Sequence, residues 1–158
     1  MAFLPFPSVQ TIKTIDTAET ITLGTIQVTD NQELRHIRPL LYKRGAHAGL
    51  ETLQMRIHST SDVTAVYASS NVINLADIIT SGNFGTSDFL SRVRFDFERP
   101  NLNKNFAYTV SLVTTNYTRN ADTYYLGLSY DFPNAIYTVA GTPGVTDHPL
   151  AMQVFGFK

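Results

Sequence analysis

The sequence predicts an all-β protein: an antiparallel two-sheet jelly-roll sandwich over residues 9–158, behind an extended N-terminal arm at residues 1–8. Three observations carry that expectation. Between Ser91 and Phe132, three runs alternate apolar and polar residues with the period of a half-buried strand. Composition favours strands, with 10 Phe and 8 Tyr beside frequent Thr and Val. No window of about 11 residues or more carries a 3.6-residue apolar stripe.

The three runs anchor the reading. Val93, Phe95 and Phe97 alternate with Arg92, Arg94, Asp96 and Glu98; Phe106, Tyr108, Val110 and Leu112 alternate with Ala107, Thr109 and Ser111. The turn formers from Pro100 to Asn105 separate these two and predict a hairpin. Asn116 to Asp122 turns the chain again. Tyr124, Leu126, Leu128 and Tyr130 then alternate with Tyr125, Gly127 and Ser129 until Pro133, which cannot donate to a ladder.

Upstream, Val9 to Ile15 and Thr20 to Val28 read as strands, and Gly24 marks a bulge in the second. Glu33 to Tyr42 reads as an edge strand, because Pro39 argues against both a helix and a central strand. Lys43 to Gly49 is a loop without the spacing of a phosphate-binding fingerprint. Leu53 to His58 and Val63 to Ser69 are two more strands joined at Ser59–Asp62. Asn74 is placed to cap a short turn through Ile79, with Asp77 in its third position. Downstream, Ala135 to Val139 is a short strand, and the apolar stretch Leu150 to Phe157 is a final strand to be paired inside a sheet.

Composition bounds the function. A chain of 158 residues suits one domain with an adequate core. A formal charge of -1 with 16% charged residues offers no basic field for nucleic acid. There is no cysteine, so neither a disulfide framework nor a thiolate metal site is available. No stretch approaches the roughly 20 apolar residues of a membrane span, and the start lacks a signal-peptide pattern, so the expectation is a soluble protein made in a cytoplasm.

Catalytic constellations are weak. His36, His47, His58 and His148 fall at no ligand spacing, and no Gly-x-Ser-x-Gly elbow occurs. Asp96 and Glu98 share a strand face, yet Arg92, Arg94 and Arg99 surround them, and a cross-strand charge ladder is the better reading than a glycosidase pair. Asp122 and Asp131 at opposite ends of one strand fall short of the roughly six oxygens calcium takes. The expectation is therefore no enzyme, no metal and no cofactor. Asn116-Tyr117-Thr118 fits a glycosylation pattern but reads as a turn in which Asn accepts a left-handed backbone. The aromatic group Tyr117, Tyr124, Tyr125, Tyr130, Phe132 and Tyr137 reads better as core or subunit contact than as a sugar platform; the possible ligand-binding set is Tyr117, Tyr125, Phe132 and Tyr137 where exposed, with Arg119 and Asp131 placed to hold hydroxyls.

The runs Val93-Arg94-Phe95-Asp96-Phe97, Asn116-Tyr117-Thr118-Arg119-Asn120, Asp122-Thr123-Tyr124-Tyr125-Leu126-Gly127 and Asp131-Phe132-Pro133 resemble galactose-binding-like jelly-roll domains in virion proteins of tailed bacteriophages. The resemblance covers residues 64–137. It implies a capsid decoration or cement protein located in the virion after synthesis in the bacterial cytoplasm. Its partners would be the major capsid protein and further copies of itself, with no nucleic acid or membrane. The alternative it carries is a carbohydrate- or receptor-binding module of a tail or head fibre, with a glycan as ligand. Phe3, Leu4, Pro5 and Phe6 would supply interface contacts, since an apolar arm gains about 25 cal/mol per Å² when covered, and its prolines reduce the entropy lost on ordering. Deleting residues 2–7 should therefore leave the β-sheet circular dichroism and melting temperature nearly intact while weakening assembly. Unfolding of the monomer instead would make the arm part of the domain's own core.

Overall fold

The computed structural model describes residues 12–45, 49–59, 62–78, 91–119, 125–129, 138–140 and 152–157. The arm with Phe3, Leu4, Pro5 and Phe6 lies outside them. The described residues form twelve strands in two sheets and one 3-10 turn, Leu75–Asp77. In order the strands are β1 (Ile12–Ile15), β2 (Thr20–Gln27), β3 (Gln32–Arg44), β4 (Thr52–Ser59), β5 (Asp62–Asn74) and β6 (Ser91–Arg92). They continue with β7 (Phe95–Asp96), β8 (Asn101–Leu102), β9 (Ala107–Thr115), β10 (Tyr125–Ser129), β11 (Thr138–Ala140) and β12 (Met152–Phe157). One sheet runs β1-β10-β3-β12 with β6, β7 and β8 also on β3, and the other runs β11-β2-β9-β4-β5. Every ladder among these strands is antiparallel. The all-β, two-sheet expectation holds.

The first sheet is built on β3, and here the edge-strand expectation fails. Ile37 pairs with Phe95 on one side and Val154 on the other, and Leu41 pairs with Ser91 and Leu128, so this 13-residue strand is interior. Pro39 is tolerated because of where the ladder lapses. The pairs His36↔Asp96 and Leu40↔Arg92 share one register that sets Pro39 opposite Val93, and Val93–Arg94 form no strand. The missing N–H thus falls in a gap that needs no donor, and the buried ring adds apolar contact.

The predicted hairpin between the 92–98 and 106–112 runs also fails. β6 and β7 lie beside β3, whereas β9 sits between β2 and β4 in the other sheet, and β10 returns to the first. Alternation reports that one face is buried, but both sheets bury an inner face, so it does not name the partner strand. After Phe97 the chain bends at Arg99, whose φ is 51°, and β8 pairs with Gln32–Glu33 before the chain crosses over. Two bonds hold the bend to β3: Phe97 N–H donates to the Arg35 carbonyl and Leu34 N–H to that of Pro100, each at 2.9 Å.

One apolar cluster fills the space between the inner faces. Ile37, Leu41, Phe95, Phe97, Met152 and Val154 come from the first sheet, and Leu23, Ile26, Leu53, Met55, Ile57, Tyr108, Val110 and Leu112 from the second. Val93, expected to be buried, is only partly so, as its position in the ladder gap allows; the side chains of Leu126 and Leu128 lie outside the description. The second sheet keeps the predicted details. The register of β2 on β9 shifts between Thr22 and Gly24, the expected bulge, and β4 and β5, expected as consecutive strands, pair with each other. A register shift between Gln54 and Arg56 sets the Met55 N–H against the Ser70 hydroxyl at 2.9 Å instead of a backbone carbonyl.

Lys43, read as loop, is the penultimate residue of β3 and is buried. Its Nζ donates to the carbonyls of Leu75 at 2.5 Å and Ile78 at 2.6 Å, so an ammonium holds the 3-10 turn predicted after Asn74. The expected side-chain cap from Asn74 to the backbone does not form. Burial lowers the Lys43 pKa, opposed by Asp77 and Glu51.

Phe95, with 0% exposure, fills the core beneath the gap in the ladder. Phe95→Ala should cost about 3–5 kcal/mol through lost burial and a residual cavity. A chemical-denaturation difference below about 1 kcal/mol would place the ring outside the core.

Candidate functional site

The outer face of the first sheet gathers charge where strict alternation would not put it. Phe155 pairs with His36 and Gly156 with Leu34, which leaves Arg35 as an extra residue on β3. The bulge turns Arg35 outward beside His36, so two consecutive side chains line one depression while Leu34 and Ile37 both point into the core. Across from them come Arg94, Asp96 and Arg99, and β12 contributes Phe155. The pocket they bound has a volume of about 470 Å³.

His36 is the centre of this face. Its imidazole stacks on Phe155 with ring centroids 4.3 Å apart and planes 21° from parallel, and the Arg38 guanidinium lies 5.3 Å from the same ring. Asp96 pairs with His36 in the ladder, and the shared register sets Arg94 opposite Arg38. Arg94 Nε reaches Asp96 Oδ1 at 2.5 Å, an ion pair between residues two apart on one segment. The expected cross-strand charge ladder is thus replaced: the strand neighbour of Asp96 is a histidine, and two arginines face each other. Both groups of the ion pair are about half exposed, so it contributes on the order of 1 kcal/mol or less.

Burial lowers the His36 pKa, the positive charges of Arg94 and Arg38 lower it further, and Asp96 opposes them. The neutral form of the imidazole is thereby favoured over the charged one. His36 Nε2 and Arg38 Nε are buried without a hydrogen-bond partner among the described residues. A second depression of about 630 Å³ adjoins the first across Arg35 and is walled by Asn31, Gln32, Glu33, Asn101 and Asn103.

Of the predicted ligand-binding set, Tyr117 and Arg119 line neither depression, whereas His36, Arg94, Asp96 and Arg99, weighed in the sequence for other roles, line the first. Tyr117, a candidate for ligand binding only if exposed, is buried with 1% exposure and joins the core, where Asn116 adopts a φ of 56° beside the Thr17–Thr118 bridge. That left-handed Asn is as predicted. Arg119 is spent on Asp16, donating from Nη1 to Oδ1 at 3.0 Å and from its backbone N–H to the Asp16 carbonyl at 2.8 Å. Tyr125 pairs with Arg44 in β10, its side chain outside the description, and Asp131, Phe132 and Tyr137 lie outside the described residues. So do Asp122, His47 and His148. The residues missed were visible as Arg35-His36-x-Arg38 and Arg94-x-Asp96. What joins them is the pairing of β3 with β7 and β12.

The described residues contain no group of three or more His, Cys, Asp or Glu placed to hold a metal ion, and no helix long and apolar enough to cross a membrane. The chain matches no protein-family model, and no curated protein matches it significantly.

The His36 shift has a sign that stability measurements can read. With the folded value held below 6.5, the unfolded chain takes up this proton first as pH falls. The neutral imidazole's contribution is full above pH 6.5 and declines from there down to the folded pKa. In urea titrations between about pH 7.5 and 5, His36→Gln should lose less stability than the wild type. Parallel profiles would mean that another group sets the acid response.

Proposed function

We propose that the protein is a non-enzymatic structural subunit of a bacteriophage virion, a decoration or cement protein whose jelly-roll sandwich attaches to the major capsid protein and associates with copies of itself. The observation that carries this reading is β5. Among the described residues it is the last strand of its sheet, 13 residues long and bridged at Ser70 to Phe97, and it exposes Val66, Tyr67 and Val72 by 45%, 49% and 57%. Long apolar strands at a sheet edge invite strand pairing with another chain. Two β5 strands from identical copies can meet antiparallel about a two-fold axis, which makes the contact self-complementary. The jelly-roll assignment draws support from connectivity: β1, β3, β6 to β8, β10 and β12 belong to one sheet, and the intervening strands to the other. Chains that cross repeatedly between two antiparallel sheets are the hallmark of double Greek-key sandwiches.

A second reading, a glycan-binding module of a fibre, draws on the depression lined by Asn31, Gln32, Asn101 and Asn103, whose amides offer the paired donors and acceptors that sugar hydroxyls need. A titration with simple sugars separates it from the first.

Sedimentation tests the assembly reading. At roughly tens of micromolar the wild type should exceed the monomer mass, and Val72→Asp should return it to monomer with unchanged circular dichroism. A wild type that stays monomeric and leaves capsids undecorated would overturn it.

A further inference from the structure

We propose that the pocket between β3, the 94–99 segment and β12 is a binding site for an oxyanion, a carboxylate, sulfate or phosphate group, held by Arg35, Arg94 and Arg99. This stands apart from the assembly reading. Among the described residues, Arg35, Arg94 and Arg99 line the pocket with the carboxylate of Asp96, and Arg94 engages that carboxylate. Arg38 faces Arg94 across the ladder gap, so like charges stand opposed at a sheet position where opposite charges are favoured. An anion bound at Arg94 offsets that repulsion. The guanidinium fork matches two oxygens of a carboxylate, sulfate or phosphate, which makes arginine the residue suited to such a group.

Two further observations point into the same pocket. Arg99 holds a φ of 51°, a left-handed conformation uncommon outside glycine, and it does so directly before Pro100, where extended backbone is preferred. A glycine would accept this bend without strain, yet the chain places there a cation that lines the pocket. His36, also in the wall, keeps Nε2 buried without a partner among the described residues. Phe155 supplies an apolar wall, which lowers the local dielectric and strengthens each charge–charge contact. The volume of about 470 Å³ exceeds what a bare anion needs and lies in the range of small-molecule sites. The oxyanion therefore has room to arrive on a sugar acid as well as free.

Calorimetric titration of the full chain at fixed ionic strength tests this, with inorganic phosphate, acetate and glucuronate as probes and chloride as the balancing ion. Saturable binding with a Kd on the order of 1 mM or tighter is expected for at least one oxyanion. Glucuronate binding more tightly than acetate identifies a sugar-borne acid as the source, and equal affinity identifies the anion alone; either outcome supports the site. Arg99→Gly and Arg94→Gln separate binding from folding. Arg99→Gly removes the cation but suits the backbone, so its melting temperature without anion should match or exceed the wild type while its affinity falls at least about fivefold. The absence of saturable binding, or affinities unchanged in both variants, would overturn the proposal.

Discussion

The first sheet depends on a single strand. β3 bonds to β12 and β10 along one side and to β6, β7 and β8 along the other, so six of the seven strands in that sheet either touch β3 or would have no other described partner but one that does. Backbone polar groups buried in a sandwich must be satisfied, and five short pieces of chain solve that problem by sharing one long template. Three of them, β6, β7 and β8, are two residues each and hold no independent stability. Their place is fixed by β3 and by the side chains they insert, above all Phe95 and Leu102, into the core. The same dependence explains how Pro39 sits in an interior strand: segmentation of the neighbour supplies the one position at which no donor is required.

That template serves two purposes through its pleat. Ile37, Leu41 and Lys43 turn inward, and His36 and Arg38 turn outward, so core and charged face are set by one register. The bulge at Arg35 modifies this by adding a second consecutive residue to the outer wall. Without it, Arg35 would point toward the core, where a guanidinium would cost several kcal/mol unless paired. Lys43 shows how the inward phase handles a charge. Its ammonium is buried but donates to two carbonyls of the turn after Asn74, so the cost of desolvation is offset by bonds that also fix that turn against the sheet.

Much of the fold was legible in the sequence, and the missing part has a definite cause. Period-2 runs located the strands at Leu53, Val63, Tyr108 and Leu126, and local chemistry located the bulge at Gly24, the left-handed Asn116 and the turn after Asn74. These are properties of a few adjacent residues. Partner choice is not: Val93 to Phe97 and Tyr108 to Leu112 look alike as amphipathic strands, yet they bury their faces from opposite sheets. The charged pocket was illegible for the same reason, since its walls come from β3, the 94–99 segment and β12, brought together only by pairing. Tyr117 could not be placed from its polar turn alone, since it is the αL residue before it that goes with its burial in the core.

The energetics of the outer face favour a recognition role over a stabilising one. The Arg94–Asp96 pair is half exposed and contributes little, the Arg38–Arg94 opposition is unfavourable, and the left-handed Arg99 costs on the order of 1–3 kcal/mol. Stacking of His36 on Phe155 with Arg38 beside the ring returns about 0.5–1.5 kcal/mol per contact, which offsets those losses only in part. A surface selected for folding alone would replace Arg99 by glycine and one of the facing arginines by an acid. Keeping both cations around a histidine whose neutral form is favoured leaves a positive potential beside an apolar wall, and such a potential stabilises the molecule only when an anion occupies it.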